Sequence, residues 1–425
     1  MANQQELFNK KYNLDLFLKC MFIELILALL VGVLAGTLTG LFPGIHINLV
    51  AAGLLSLVSG AYFIGVAPMI LVVFVVAMAV THTFIDFIPS VFLGAPEEDS
   101  FLAVLPGHQL LQEGKGYEAI VMTLYGSLIA LPIVFVFGLL FVWFLDSVYD
   151  FIRVLLPYIL IFVSLYLVFT EEEWILSGVV FLFAGFLGLF VFELPVRGPL
   201  LPLLTGLFGV SGLIVSLKAR IQVPKQKIEK LGKIELNKKS LLKSILAGAV
   251  AAPLCSFLPG IGAGHAAVIG SELNGDLGKD RKSFLFLVGM INTIVMALSF
   301  VTIFVIGRTR TGAAVAVSEI LGEMVFSDLV VVMFVVFVSG ILAFFVGLRL
   351  ARFFALRIDK ISYSKISIFV ICLLVVVNLV LTNWVGMIVL ATSSALGVFC
   401  ILSRVRRIQL MGVLLVPTIV YYLIG

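Results

Sequence analysis

Apolar runs of about 20 residues, the length a helix needs to cross a bilayer, recur from one end of the chain to the other, separated by short polar breaks. In the first half they fall roughly at 20–42, 44–60, 66–92, 119–145, 151–169, 174–192 and 199–217. In the second they fall roughly at 241–258, 262–275, 283–306, 327–348, 364–381, 384–403 and 408–424. One long polar interval, Lys218 to Lys243, divides the two sets. The pattern predicts an all-α polytopic membrane protein with about 12–14 membrane segments. Its parts are an interfacial N-terminal segment at 1–19, a first membrane repeat at 20–217, a linker at 218–240 and a second membrane repeat at 241–425. The N-terminal segment mixes Lys10, Lys11, Asp15 and Lys19 with Leu7, Phe8, Tyr12 and Phe17, which suits an amphipathic helix lying in the interface. The run after it is too long for the core of a cleaved signal.

The apolar pattern is interrupted in the same way twice. "LFPGIHINLV" spans Leu41 to Val50, and "FLPGIGAGHA" spans Phe257 to Ala266. Proline removes an amide donor and glycine tolerates backbone shapes that other residues avoid, so each Pro-Gly pair predicts the end of one helix and the start of another. Aligning Gly32–Ile45 with Gly248–Ile261 superposes the pairs without a gap, and "THT" at 81–83 then falls near "INT" at 291–293. This predicts two structural repeats, each with a broken or re-entrant Pro-Gly helix. If all seven candidates of a half cross, the repeats are inverted. If the Pro-Gly segments are re-entrant, six cross and the halves are parallel.

Charge adds orientation. The linker carries Lys218, Arg220, Lys225, Lys227, Lys230, Lys233, Lys238, Lys239 and Lys243, which predicts a cytoplasmic linker in a multi-pass protein of the plasma membrane. With every candidate crossing, the basic loops at 279–282, 349–360 and 404–407 return to the same side, whereas Lys10, Lys11 and Lys19 lie outside. The chain is 62% hydrophobic and 12% charged, with a mean hydropathy of +1.22. That excludes a soluble domain, and no nucleic-acid signature accompanies the net charge of +4. Cys20, Cys255, Cys372 and Cys400 show no CxxC pairing, so neither a disulfide framework nor a metal site is predicted.

The candidate chemistry lies where polar residues enter apolar runs. A helix starting at a break exposes unpaired amides and the positive end of its dipole, an anion site that needs no cationic side chain. The predicted substrate contacts are therefore Pro43, Gly44, His46 and Asn48 at the first break and Pro259, Gly260, Gly262, Gly264 and His265 at the second. The four histidines, His46, His82, His108 and His265, all lie in or near such interruptions. Thr81, His82, Thr83 and Asp86 in the first half and Asn292 and Thr293 in the second offer what a sodium or proton site needs. Arg308 and Arg310, in "GRTRTG", predict an external basic mouth that gathers anions. No cofactor is expected beyond a coupling Na+ or H+.

Three stretches, "GTLTGLFPGIHINLVAAGLL", "FIPSVFLGAPEEDSFLAVLPGHQLLQEGKGYEAI" and "APLCSFLPGIGAGHAAVIGSEL", resemble the motifs of the tripartite tricarboxylate transporter permeases, the TctA-type large membrane subunits. The resemblance implies an ion-coupled carboxylate carrier whose two Pro-Gly segments line the substrate site. It also implies a small membrane subunit and a solute-binding protein as partners, beside membrane lipids and a small anionic substrate. Pro43, Gly44, Pro259, Gly260 and Gly262 match the two motifs, Gly94 and Pro96 match a further loop, and Asn292 matches one member of an asparagine pair. His46 and Asn48 replace small residues and proline, and "PGH" replaces an Asp-Gly-Tyr stretch.

The function expected is a secondary active transporter of a small organic anion, alternating access between two repeats. A flippase for an anionic polyprenyl phosphate is the rival within transport. An intramembrane enzyme is the rival outside it, but no HExxH, GxSxG or paired carboxylate supplies its chemistry.

Overall fold

The structure, a computed structural model, describes residues 2–42, 66–94, 101–196, 198–218, 224–228, 238–257, 263–274, 280–308, 311–358 and 363–424. Every regular element among them is helical. In the first half these are α1 (Ala2–Leu41), α2 (Pro68–Ile85), α3 (Phe87–Leu93), α4 (Val104–Gln112), α5 (Gly116–Phe169), α6 (Trp174–Glu193), α7 (Leu200–Leu204), a π-helical turn (Thr205–Val210) and α8 (Ser211–Lys218). The second half holds α9 (Lys238–Ser256), α10 (Ala263–Asn274), α11 (Arg281–Ile306), α12 (Gly312–Leu321), α13 (Phe326–Ala355), α14 (Tyr363–Leu381), α15 (Trp384–Leu402) and α16 (Gly412–Ile424). Nine helices among the described residues are long and apolar enough to cross a membrane, and three shorter apolar ones accompany them.

Local chemistry sets the helix ends. Pro68 opens α2, where its missing amide costs nothing. Asp280 caps α11 by accepting from the amides of Lys282 and Ser283 at 3.2 and 3.3 Å. Gly94 and Gly307 close α3 and α11 in the left-handed conformation, at φ 67° and 60°. α1 stops at Leu41 and α9 at Ser256, just ahead of the two Pro-Gly pairs.

Packing fixes the helix directions. Gly32, Gly36 and Gly40 of α1 face Ala77, Thr81 and Ile85 of α2 in turn, so those helices run parallel. Gly347 meets Ile85 and the Phe354 ring stacks on Phe92 at 6.2 Å, so α13 runs parallel to α2 and α3. In the second half Ser244 donates to the Ser283 carbonyl and Gly248 faces Leu287, so α9 runs parallel to α11. α5 joins that set through Glu118–Lys282 at 2.5 Å, Ser127 to the Gly289 carbonyl at 3.0 Å, and Gly138 beside Val301. Leu131 against Gly340 and Leu124 against Gly347 make α5 and α13 antiparallel. It follows that α2 runs opposite to α11. These two helices are the core: the apolar window of α2 and α3 is 78% buried and that of α11 94%, against 22% for α1.

The linker residues Gln226 and Lys227 bond Gly116 and Gly114, and Glu113 pairs with Arg281, so the linker, the start of α5 and the start of α11 share one end of the bundle. α5 was expected as two segments, 119–145 and 151–169; its backbone bonding runs on for 54 residues, yet it supplies two candidate spans, Gly116–Tyr149 and Phe151–Phe169. At 1.5 Å per residue it would measure about 80 Å if straight, nearly twice a bilayer. Its C-terminal end returns to the linker end instead, since Gln409 donates to the Leu167 carbonyl and Arg406 borders the cavity that Arg281 also lines.

Candidate functional site

α2 and α11 cross at the residues that interrupt their apolar pattern. Asp86 ends α2 and begins α3; its amide donates to the His82 carbonyl at 3.0 Å, and its carbonyl accepts from the Ser90 hydroxyl at 2.9 Å. Asn292 Nδ2 reaches across from α11 to donate to Asp86 Oδ2 at 3.1 Å. One turn away, the hydroxyls of Thr83 and Thr293 meet at 3.2 Å. The Thr39 hydroxyl of α1 pairs with His82 Nδ1 at 3.1 Å. Thr81 Oγ1 is buried without a hydrogen-bond partner among the described residues. Asp86, Asn292, Thr81, Thr83 and Thr293 are at most 1% exposed and His82 3%. A carboxylate at this depth is costly unless it takes a proton, a cation or hydrogen-bond donors. Here it sits with an amide and hydroxyl oxygens, the ligand types of hard cations.

The other predicted residues divide into two groups. Gly264 and His265 open α10, and both are buried. A side chain on Gly264 would meet the Phe101 ring at 2.8 Å, so protein already occupies the space beside it. Arg308 lies at the opposite end of α11, about 24 Å along the helix from Asn292, where its Nη1 donates to Tyr149 Oη at 3.1 Å and the guanidinium stands 5.1 Å from that ring. The structure therefore gathers Thr81, His82, Thr83, Asp86, Asn292 and Thr293 and leaves Arg308 apart. Pro43, Gly44, His46, Asn48, Pro259, Gly260, Gly262 and Arg310 fall outside the described residues. His108 fastens α4 to α3, its Nδ1 donating to the Val91 carbonyl at 2.8 Å. Enclosure of the ring pushes its pKa down to about 4, the Val91 carbonyl opposing and the Arg407 charge assisting.

A second polar cluster escaped the sequence reading. At the linker end Arg407, 9% exposed, donates through Nη2 to the carbonyls of Leu207 and Phe208 at 2.9 and 2.6 Å and to the Ser211 hydroxyl at 3.2 Å. Leu207 and Phe208 belong to the π-helical turn, whose altered bonding leaves carbonyls for outside donors. Arg406 pairs with Glu171, and Gln409 Nε2 donates to the same carboxylate at 3.2 Å. In the sequence these arginines look like a basic loop that only sets orientation. The signal against that reading is the glutamine two residues on, Gln409, already inside an apolar run.

The chain matches the Tripartite tricarboxylate transporter TctA family over residues 26–412, which takes in both clusters. It belongs to that family. The resemblance drawn from the Pro-Gly motifs is thereby upheld, and the chain is a transporter permease rather than an enzyme. Among curated relatives, the uncharacterized protein MJ1079 of Methanocaldococcus jannaschii is 32% identical over 399 residues, covering 91% of this chain and 96% of the relative. No solved structure matches.

Proposed function

We propose that this TctA-family permease is a secondary active transporter of a small organic carboxylate, driven by Na+ or H+ bound at the crossing of α2 and α11. The observation that carries the reading is the contact of Asp86 with Asn292, two fully buried polar residues donated by antiparallel helices 206 positions apart. A proton or a monovalent cation on Asp86 changes the charge at a fully buried polar contact between the two halves. That is the lever an alternating-access carrier needs. Two parallel helix pairs, α1 with α2 and α9 with α11, run in opposite directions, which supports an inverted relation between the halves. The Pro-Gly segments then supply the carboxylate site, with the basic linker in the cytoplasm, a small membrane subunit beside the permease and a solute-binding protein delivering substrate.

The test is uptake of di- and tricarboxylates into proteoliposomes with sodium and proton gradients imposed separately. Wild-type protein accumulates substrate under one of the two gradients. Asp86→Asn keeps the shape and the bond to Asn292, so it is expected to remain folded, to lose gradient-driven accumulation and to retain substrate counterflow. Full accumulation by Asp86→Asn would refute the coupling role, and failure of the wild type to move any carboxylate under either gradient would refute the substrate class.

A further inference from the structure

Two adjoining cavities open at the linker end, about 370 and 280 Å³ in volume, near the lower limit of small-molecule sites, roughly 300–1,000 Å³. Arg406 and Arg407 line both, Arg404 lines the first and Arg281 the second, and among the described residues neither is lined by an aspartate or glutamate. Two of these cations are neutralised: Arg281 pairs with Glu113 at 2.7 Å and Arg406 with Glu171. Among the described residues the other two pair with no carboxylate. Among the described residues no carboxylate pairs with Arg407, whose contacts are two carbonyls, a hydroxyl and the face of Phe208 at 5.4 Å. All three hydrogen bonds fall on Nη2, and the buried Nε has no partner among the described residues.

A buried guanidinium without a counterion is expensive, and the fold positions this one deliberately. Gly212 leaves room beside Nη1, since a Cβ there would stand 3.5 Å from it. Arg404 holds a left-handed backbone at φ 57°, a shape a long side chain seldom adopts, and so turns its chain toward the first cavity. Gln109 and Gln112 add amide groups to the same wall.

We infer that the paired cavities around Arg407 and Arg404 form a binding site for an oxyanion, carboxylate or phosphate, at the linker end and separate from the Asp86–Asn292 crossing. A planar guanidinium with unspent donors suits either group. The inference does not depend on how transport is coupled, because it concerns binding at another place in the fold. The oxyanion has two available sources, a soluble anion and a lipid headgroup, and basic pockets between membrane helices are known to take the latter.

The experiment measures thermal stabilisation of the purified full chain. In lipid-depleted micelles the probes are citrate and inorganic phosphate, with chloride at matched ionic strength as control. In nanodiscs the comparison is phosphatidylglycerol against phosphatidylcholine. A rise in melting temperature with citrate or phosphate identifies a soluble oxyanion, and a rise only with phosphatidylglycerol identifies a headgroup. In either case Arg404→Gln is expected to weaken binding about tenfold, and Arg407→Gln to abolish it. Because Arg407 also holds the π-helical turn, Gly212→Leu provides a second variant that leaves the arginine in place and fills the cavity; it is expected to bind at least tenfold more weakly. Gly138→Ala, which makes only ordinary contacts with Met333 and Val301 away from both cavities, should bind as wild type does. No stabilisation by any of these probes would overturn the site, as would unchanged binding by both Arg404→Gln and Gly212→Leu.

Discussion

α5 carries two glycines that face different neighbours, and exchanging each for alanine separates tight packing from helix propensity. A Cβ on Gly126 would fall well inside contact of the Phe286 carbonyl oxygen of α11 and 2.9 Å from the Met290 amide nitrogen, backbone atoms that cannot rotate away. A Cβ on Gly138 would meet only Met333 Cε at 3.6 Å and Val301 Cγ2 at 3.7 Å, ordinary contacts. Alanine improves helix propensity by about 1 kcal/mol at both positions, so that gain cancels in the comparison. At Gly126, restoring a carbon–oxygen separation near 3.5 Å requires α11 to move away by on the order of 1 Å, which forfeits a quarter to a half of each dispersion contact along the seam. Overpacking of this kind costs about 1–3 kcal/mol. Gly138→Ala should therefore be neutral or up to about 1 kcal/mol more stable than wild type, and Gly126→Ala about 1–3 kcal/mol less stable than Gly138→Ala. Unfolding of purified protein in mixed micelles by increasing SDS, followed by circular dichroism, reads the difference. Equal stability of the two variants would mean that α5 and α11 do not pack backbone to backbone, and the helix directions inferred from that seam would fall with it.

Thr83→Val strands the Thr293 hydroxyl and should cost about 1–2 kcal/mol, most of it recovered in the Thr83→Val/Thr293→Val double variant; an additive double-mutant cycle in the same unfolding assay would exclude their contact. Glu118 is 2% exposed and pairs with Lys282, so Glu118→Gln should destabilise by about 2 kcal/mol, the lysine's partial exposure sparing part of the usual loss for a buried pair; an unchanged midpoint would argue against the pair. His108 is held near pKa 4 in the fold against 6.5 for the free group, so folding favours the neutral ring. Its contribution is complete above pH 6.5, declines as the pH falls toward 4, and totals at most about 3 kcal/mol. Thermal scans between pH 7.5 and 4 should show this slope shallower in His108→Gln, and identical slopes would contradict it.

What the sequence revealed was whatever violated the apolar pattern. Asp86, behind Thr81, His82 and Thr83, and Asn292, beside Thr293, interrupt long apolar runs, so their candidacy was legible; that the two side chains meet was not, because contact between residues 206 positions apart is a property of helix packing. The helix stops at Leu41 and Ser256 were legible because proline and glycine act on the backbone itself. The continuous backbone bonding of α5 through its turn was not. Asp146, Ser147, Tyr149, Asp150 and Arg153 read as a loop between two crossings, and the chain does reverse there, since Tyr149 meets Arg308 at the far end and Leu167 returns to the linker end; polar side chains alone do not interrupt the backbone bonds of a helix. Arg407 was hidden for the opposite reason. It sits among other arginines, and a cluster of like charges at a helix end is explained by orientation alone until the burial of one member is known.

The crossing of α2 with α11 also bears on how the protein is made. Asp86 enters the membrane 206 residues ahead of Asn292, and at about 5–20 residues per second the ribosome needs roughly 10–40 s to supply that partner. During this interval the first half must hold an acid at a depth where it costs about 2.5–3.5 kcal/mol. Of the helices that pack along α2, α1 is made before it, whereas α13 is synthesised later still than α11. Assembly of the core is therefore a post-insertional event, and until the second half arrives the newborn first half is an unfinished folding intermediate.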